Sequence, residues 1–407
     1  MANLNETVSA ERVHIGFFGL RNAGKSSLVN AVTGQDLSVV SPVKGTTTDP
    51  VKKAMELLPL GPVVIIDTPG FDDLGELGEL RIQKTNEILT RTDVAVLVLD
   101  ATLGMTSDDE KLLDRIKARN IPFVIASNKC DLVWDRAALS PFWLPVSAKT
   151  GEGITALKER LAELGKIASP QRKIVADLIS EGDTVVLVIP IDESAPKGRL
   201  ILPQQLTLRE LLDHHAAAVC CQVEELGGVI ESLRRPPRLV ITDSQAFGRV
   251  SKIVPPGIVL TSFSILFARY KGELETLVAG AAALKRLRDG DRVLISEGCT
   301  HHRQCNDIGT VKLPGWITKY SGKQLEFAFS SGGSFPEDLT PYALIVHCGG
   351  CMLNEAAMQF RISSANAQNV PIVNYGIAIA QMHGILQRSL EPFPALRAII
   401  DTAHNEN

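Results

Sequence analysis

The sequence predicts an α/β protein of three domains: an N-terminal phosphate-loop domain over residues 1–168, then two further alternating α/β domains over 173–268 and 269–407. Short apolar runs alternate with amphipathic stretches along the whole chain, the pattern of repeated βα units. The first of these runs, Val13 to Phe18, leads directly into Gly19-Leu-Arg-Asn-Ala-Gly-Lys-Ser26. Two late runs end in cysteine-bearing turns, Gly298-Cys299-Thr300-His301-His302 and His347-Cys348-Gly349-Gly350-Cys351.

Composition sets the limits. A chain of 407 residues with 45% hydrophobic and 22% charged residues is ordinary for globular domains that each bury a core. A net charge of −4 argues against a nucleic-acid or anionic-membrane partner. No apolar run is long enough to span a bilayer, and the polar start Met1 to Glu11 does not read as a signal peptide, so a cytoplasmic protein is expected. Seven cysteines then point to metal ligands or buried thiols rather than a disulfide framework.

In the first domain, Gly19 to Ser26 has the full spacing of a phosphate loop, placed between a strand and a helix. Gly19 and Gly24 let the backbone N–H groups of Asn22, Ala23 and their neighbours turn toward phosphates, at the positive start of the helix that continues through Ser27. Lys25 is expected at the β- and γ-phosphates and the Ser26 hydroxyl on Mg²⁺. Ile65-Ile66-Asp67-Thr68-Pro69-Gly70 ends a strand with a carboxylate for the metal and a glycine for the γ-phosphate. Asn128-Lys129-Cys130-Asp131 closes the strand Phe123 to Ala126, and Asp131 can accept from guanine N1–H and its 2-amino group, which adenine does not offer. Ser147-Ala148-Lys149 supports the base, and Cys130 reads as a small filler. These motifs resemble the translation-factor type of GTPase over the whole domain, implying GTP/GDP and Mg²⁺.

Gly45-Thr-Thr-Thr-Asp49 resembles switch I of the tRNA-modification and ribosome-assembly GTPases, where Thr47 would cap Mg²⁺. Phe71 stands where many GTPases carry a water-orienting glutamine, so hydrolysis is expected to be slow. By the same resemblance Asn22 would ligate K⁺ in place of an arginine finger, its other reading being a turn residue. The acidic, glycine-bearing stretch Phe71 to Gln83 reads as a mobile switch II.

Gly165 to Lys173 reads as a linker. Beyond it, Asp183 to Pro190 and Pro237 to Thr242 read as strands. Thr207-Leu-Arg-Glu210 reads as a capping box opening a helix through Leu226, with His214 and His215 in mid-helix and Cys220–Cys221 near its end. No catalytic set is present, and the domain reads as a packing or self-association module.

In the third domain, Glu273 to Arg288 reads as a helix, and Asp291 to Ile295, Tyr342 to Val346 and Pro371 to Tyr375 as strands. Carboxyl ends of strands in open α/β sheets are where ligands bind. Two such ends bring Cys299, Cys348 and Cys351 into one constellation, with His301, His302 and His347 beside it. Three thiolates with a histidine fit a closed structural zinc site or an iron–sulfur cluster with an exchangeable fourth ligand, and spacing alone leaves both open. A metal-free redox Cys-x-x-Cys leaves Cys299 and the histidines unexplained. A helix starting at Asn354 would favour a negatively charged centre.

Taken together, a GTPase domain, a middle domain, and a C-terminal domain with Cys-x-His and His-Cys-x-x-Cys resemble the FeFe-hydrogenase maturation GTPases over essentially the whole chain. That resemblance implies a 4Fe-4S cluster on Cys299, Cys348 and Cys351, with His301, His302 or His347 as candidate fourth ligand and Asp307 as an outside one. It implies a transient diiron subcluster passed to the apo-hydrogenase, radical-SAM maturation enzymes as partners, and a homodimer formed through the middle domain. GTP binding and hydrolysis would gate the partner interactions. Cys305 fits none of these motifs. The competing readings are an RNA- or ribosome-associated GTPase with structural zinc, and a redox-sensing GTPase whose cluster never leaves.

Overall fold

A computed structural model describes residues 9–35, 51–70, 76–133, 142–168, 172–191, 200–298, 308–397 and 400. The chain divides into a compact unit built on Met1–Gln171 and a second over Arg172–Leu353 and Met358–Asn407.

The first unit is a six-stranded sheet. Its strands are β1 (Val13–Phe18), β2 (Val51–Leu57), β3 (Gly61–Asp67), β4 (Val94–Asp100), β5 (Phe123–Asn128) and β6 (Leu144–Pro145), in the order β2-β3-β1-β4-β5-β6. Only β2 runs antiparallel to its neighbour. Strand β4 is buried from Val94 to Leu99, so both faces must be covered, as parallel sheets require. Period-two alternation sends Val96 and Val98 into one core with Leu28, Leu157 and Leu161. Ala95, Leu97 and Leu99 enter the other with Leu112 and Ile116. The helix Ile154–Ala168 runs on into the start of the expected linker, because Gly165 packs against the Leu60 side chain, where a Cβ would crowd it at 2.5 Å. Glu76 to Gln83 likewise lies within the helix Glu76–Leu89, which begins inside the stretch read as mobile.

The second unit holds two four-stranded, all-parallel sheets. The first comprises β7 (Thr184–Val188), β8 (Ala217–Cys221), β9 (Leu239–Thr242) and β10 (Val259–Ser262), ordered β10-β9-β7-β8. The other comprises β11 (Arg292–Ser296), β12 (Glu326–Ser330), β13 (Leu344–His347) and β14 (Ile372–Asn374), ordered β12-β11-β13-β14. Both have one topology: the first strand pairs with the second on one side and the third on the other. The chain therefore reverses its winding beside β7 and beside β11, leaving a crevice at the carboxyl end of each.

The helix expected from Thr207 to Leu226 is corrected. The helix is Leu202–Asp213, with Pro203 in its first turn, where a missing N–H costs nothing. Thr207 lies inside it and donates to Pro203 O at 2.8 Å, and Glu210 caps a different segment altogether. His214 closes the helix, His215 takes a left-handed turn at φ 56, and Ala217–Cys221 is a strand, so neither histidine is in mid-helix. The expected helix over Glu273 to Arg288 is present as Leu274–Ala281 and Ala283–Arg286, divided at Ala282.

Among the described residues, no helix is long and apolar enough to cross a membrane.

Candidate functional site

The carboxyl ends of β1, β3, β4 and β5 converge on the phosphate loop. Gly19 (φ 148) and Gly24 (φ 87) take positive dihedrals, and a Cβ on either would collide, with Val98 O and with the Asn128 amide respectively. Only glycine fits there. Asn22 also sits left-handed at φ 62 with its side chain exposed. That geometry serves the turn and leaves the amide toward solvent, compatible with both of its readings.

Asn128 ties two loops together: its Nδ2 donates to Ala23 O at 2.9 Å and its Oδ1 accepts from Ala148 N–H at 3.1 Å. Ser147 Oγ donates to Asp131 Oδ1 at 2.7 Å and accepts from Thr150 N–H, which fixes the carboxylate expected to read the base. Cys130 is wholly buried, as a filler should be. Lys149 lies on the same loop beyond Ala148. Lys129 bridges the site, donating to Asn22 O at 2.8 Å and Asp100 Oδ2 at 2.5 Å. Burial pushes the Asp100 carboxyl up, but hydrogen bonds from Lys129 and Thr102 outweigh it and hold the group below the usual carboxylate range. Asp100, at the end of β4, was not singled out by sequence motif.

Ser26 Oγ donates to Asp67 Oδ2 at 2.6 Å, bringing together the two groups expected around Mg²⁺. Asp67 Oδ1 is buried with no hydrogen-bond partner among the described residues. A buried carboxylate oxygen without a donor is costly unless a cation or its water completes it. Lys25 is buried and folds onto its own loop, with Nζ at 3.0 Å from Gly19 O and 2.8 Å from Leu20 O. Gly70 approaches so closely that a Cβ would stand 2.9 Å from Arg21 Cα. Ser27 lies in the first turn of the helix Lys25–Thr33. Thr47, with the rest of Gly45 to Asp49, and Phe71 lie outside the described residues.

In the second unit, β11 and β13 pair in parallel with Ser296 opposite His347, so the turns that follow them leave the sheet side by side. Cys348 Sγ accepts from Gly298 N–H at 3.0 Å and Gly350 N–H at 3.4 Å. Gly350 turns left-handed at φ 63, bringing the chain back toward Cys351. Burial pushes the Cys351 thiol up, against which the Lys271 ammonium acts in the opposite sense. Lys271 is itself buried and donates to Leu353 O at 3.0 Å. Amide N–H groups on sulfur and a nearby buried cation suit thiolates in a centre of net negative charge, so the donor set fits a thiolate-ligated group. Cys299, His301, His302, Cys305 and Asp307 lie outside the described residues, and among those described no three His, Cys, Asp or Glu side chains converge on a metal position.

His347 is placed differently from the expectation of a free ligand. It is fully buried, Arg361 Nη1 donates to its Nε2 at 2.7 Å, and its Nδ1 donates to Cys348 O at 2.6 Å. Both nitrogens are engaged. Burial and then the Arg361 charge push the ring down to about 3, so it is neutral. Arg361 also reaches Ser296 Oγ at 3.3 Å and Gly332 O at 2.5 Å, and stacks over Phe335. Sequence reasoning passed over Arg361. Its signal was a charge within the apolar stripe Ala357, Met358, Ile362 and Ala365 of one helix.

A complete phosphate loop, an Asn-Lys-x-Asp base-reading motif and a carboxylate-bearing strand end define a P-loop GTPase domain, here joined to two α/β domains of a shared topology. Comparison with known proteins agrees: residues 14–129 match the 50S ribosome-binding GTPase model, residues 174–272 the hydrogen maturase F dimerization domain, and residues 275–392 its tetramerization domain. The two maturase models together match more than half of the chain, which belongs to the hydrogen maturase F family. It is a GTP hydrolase with sites for GTP/GDP and Mg²⁺.

Curated relatives include the tRNA modification GTPase MnmE of Chromobacterium violaceum, 35% identical over 160 residues, 38% of this chain and 35% of that protein. MnmE of Carboxydothermus hydrogenoformans is 34% identical over 155 residues, 36% of this chain and 33% of that one. The chain thus spans about a third of the length of these relatives. Among solved structures, a probable GTP-binding protein engB matches with 24% identity and a TM-score of 0.32, covering 38% of this chain and 100% of the other. Era with MgGDPNP and 16S ribosomal RNA matches at 21% identity and a TM-score of 0.35, covering 56% and 91%.

Proposed function

We propose that this GTPase is a scaffold that holds a 4Fe-4S cluster on Cys299, Cys348 and Cys351 and carries a diiron precursor to an apo FeFe-hydrogenase. The observation that carries this reading is the pairing of Ser296 with His347, with Gly298 N–H on Cys348 Sγ. It supports a single centre drawing on both cysteine turns. Three thiolates leave one iron of such a cluster open to an exchangeable ligand. The chain's own part is to hold the Cys348–Cys351 turn, through Gly298, Gly350 and the Arg361–His347 pair. Because both nitrogens of His347 are engaged, the fourth ligand falls to His301 or His302, with His347 positioning the turn.

Radical-SAM maturation enzymes are the proposed suppliers of the precursor. The middle domain, 173–268, is the proposed homodimer contact, with 1–168 binding nucleotide and 269–407 the cluster. The protein is proposed to act in the cytoplasm, without nucleic acid. Hydrolysis is proposed to be slow and potassium-stimulated through Asn22, with Thr47 capping Mg²⁺, and to time release by changing partner contacts at the switches.

Anaerobic iron–sulfide reconstitution with EPR of the reduced protein tests the cluster. A 4Fe-4S signal lost in Cys299→Ala, Cys348→Ala and Cys351→Ala, and perturbed in wild type by added imidazole, is the expected result. Stoichiometric zinc without iron uptake would replace this reading with a zinc-bearing GTPase. The gating is tested with Lys25→Ala: a variant that binds no nucleotide yet delivers cluster at the wild-type rate would overturn it.

A further inference from the structure

The sheet of the cysteine turns ends on β12, which pairs with β11 and with no other described strand. Its terminal residues point their backbone inward: Glu326 N–H donates to Asp291 O and Ser330 O accepts from Glu297 N–H, both at 2.9 Å. Alternation along the strand therefore turns the peptide groups of Phe327 and Phe329 outward. Edge strands are usually blunted by charge, proline or a bulge. Here the outward-bonding residues are both phenylalanine, and Phe329 is 45% exposed.

We propose that β12 pairs antiparallel with β12 of a second copy of this chain, about a twofold axis through Ala328. In that register Phe327 of each copy lies opposite Phe329 of the other as a hydrogen-bonded pair, and each pair exchanges both of its outward N–H and C=O groups. Ala328 faces itself as the non-hydrogen-bonded pair at the axis. The rings of Phe327 and Phe329 share one sheet face and meet across the strands, the arrangement in which cross-strand aromatics stabilise a sheet. Glu326 falls opposite Ser330, so no like charges meet. Centring the axis on either phenylalanine leaves the other opposite a residue outside the strand. The strand is thus self-complementary in one register, as an isologous contact requires. A second copy is the occupant because β12 falls within the segment matching the tetramerization domain.

The test uses the full chain. Phe329→Lys places a charge on the edge and is expected to halve the assembly mass by light scattering, while far-UV circular dichroism stays unchanged. Ala328→Cys sets two introduced thiols face to face, about 4.5 Å apart at Cα, within disulfide reach. Mild oxidation is expected to give a covalent dimer absent from oxidised wild type. Glu326→Cys is the control: its two copies stand roughly 13 Å apart in this register, at about 3.3 Å per residue, and are expected not to cross-link. An unchanged mass for Phe329→Lys, failure of Ala328→Cys to cross-link, or equal cross-linking of Glu326→Cys would each overturn the proposal.

Discussion

Asn128 is the residue on which the proposed nucleotide site turns, because one side chain holds both the phosphate loop at Ala23 and the loop at Ala148 proposed to support the base. Removing it forfeits two hydrogen bonds, together about 2 kcal/mol, or roughly 30-fold in affinity. Asn128→Ala is therefore expected to bind GTP that much more weakly in a fluorescent-nucleotide titration. A change under about threefold would show that the loops hold themselves. Lys129 and Asp100 add a pH-dependent latch beside it. The folded-state carboxyl of Asp100 is held below its ordinary 3.8, so the pair's contribution is complete above that value and lost only as pH falls through the lower folded value. Nucleotide affinity should consequently stay flat from neutral pH down to about pH 5, and Asp100→Asn should weaken it at every pH in that window. The polar residues of this site were legible because each belongs to a motif of fixed spacing. Asp100 and Arg361 were not: each acts through contacts to residues distant in sequence, Lys129 for the one and Ser296, Gly332 and His347 for the other, which no local pattern encodes.

At the scale of an element, the helix Leu202–Asp213 shows how a local pattern can mislead. Thr207 and Glu210 have the spacing of a capping box, but the Glu210 carboxylate accepts from the backbone N–H groups of Ile174, Val175 and Ala176, at 2.9 to 3.1 Å. The same four letters that read as a helix start are a helix interior anchoring a separate turn. Glu210→Ala leaves three amides without their acceptor and is expected to cost about 2–3 kcal/mol, visible as a lowered thermal midpoint. Glu210→Gln should recover part of it, because one amide oxygen remains. Ala217 to Cys221 was hidden for the opposite reason: alanine carries little strand propensity, and on the edge of a sheet pairing to β7 decides. The buried central strands were legible, since apolar runs such as Val185 to Val188 have no other way to satisfy both faces. Helix-to-sheet spacing is set as tightly as register. A Cβ at Gly280 would collide with the Ile372 carbonyl, so Gly280→Ala is expected to destabilise by about 1–3 kcal/mol through overpacking. A midpoint equal to wild type would mean that the helix Leu274–Ala281 can lift off β14 freely.

For the whole molecule, three sheets do not make three independently melting parts. The first unit closes its own two cores on either side of one sheet. In the second, the segment that follows β14 returns to the β7–β10 sheet. Phe393 joins the core of Leu187, Ile241 and Phe263, and Arg269 stacks over its ring. Glu391 accepts from Leu260 N–H at 3.0 Å, Thr261 donates to Ser389 O at 2.8 Å, and Gly376 packs where a Cβ would strike Ser264. The β7–β10 sheet loses these packing and hydrogen-bonding partners if the segment after β14 lets go, so the two sheets should unfold together. Calorimetry of the full chain is expected to resolve two transitions. Saturating GTP with Mg²⁺ should raise the midpoint of the one belonging to Met1–Gln171, by the free energy of ligand binding to the native state alone. At a hundred times the dissociation constant that term is about 2.7 kcal/mol. Phe393→Ala should lower only the other transition, without splitting it. Three resolved transitions in wild type, or a Phe393→Ala trace in which the β7–β10 sheet melts ahead of β11–β14, would mean that the returning segment does not couple them.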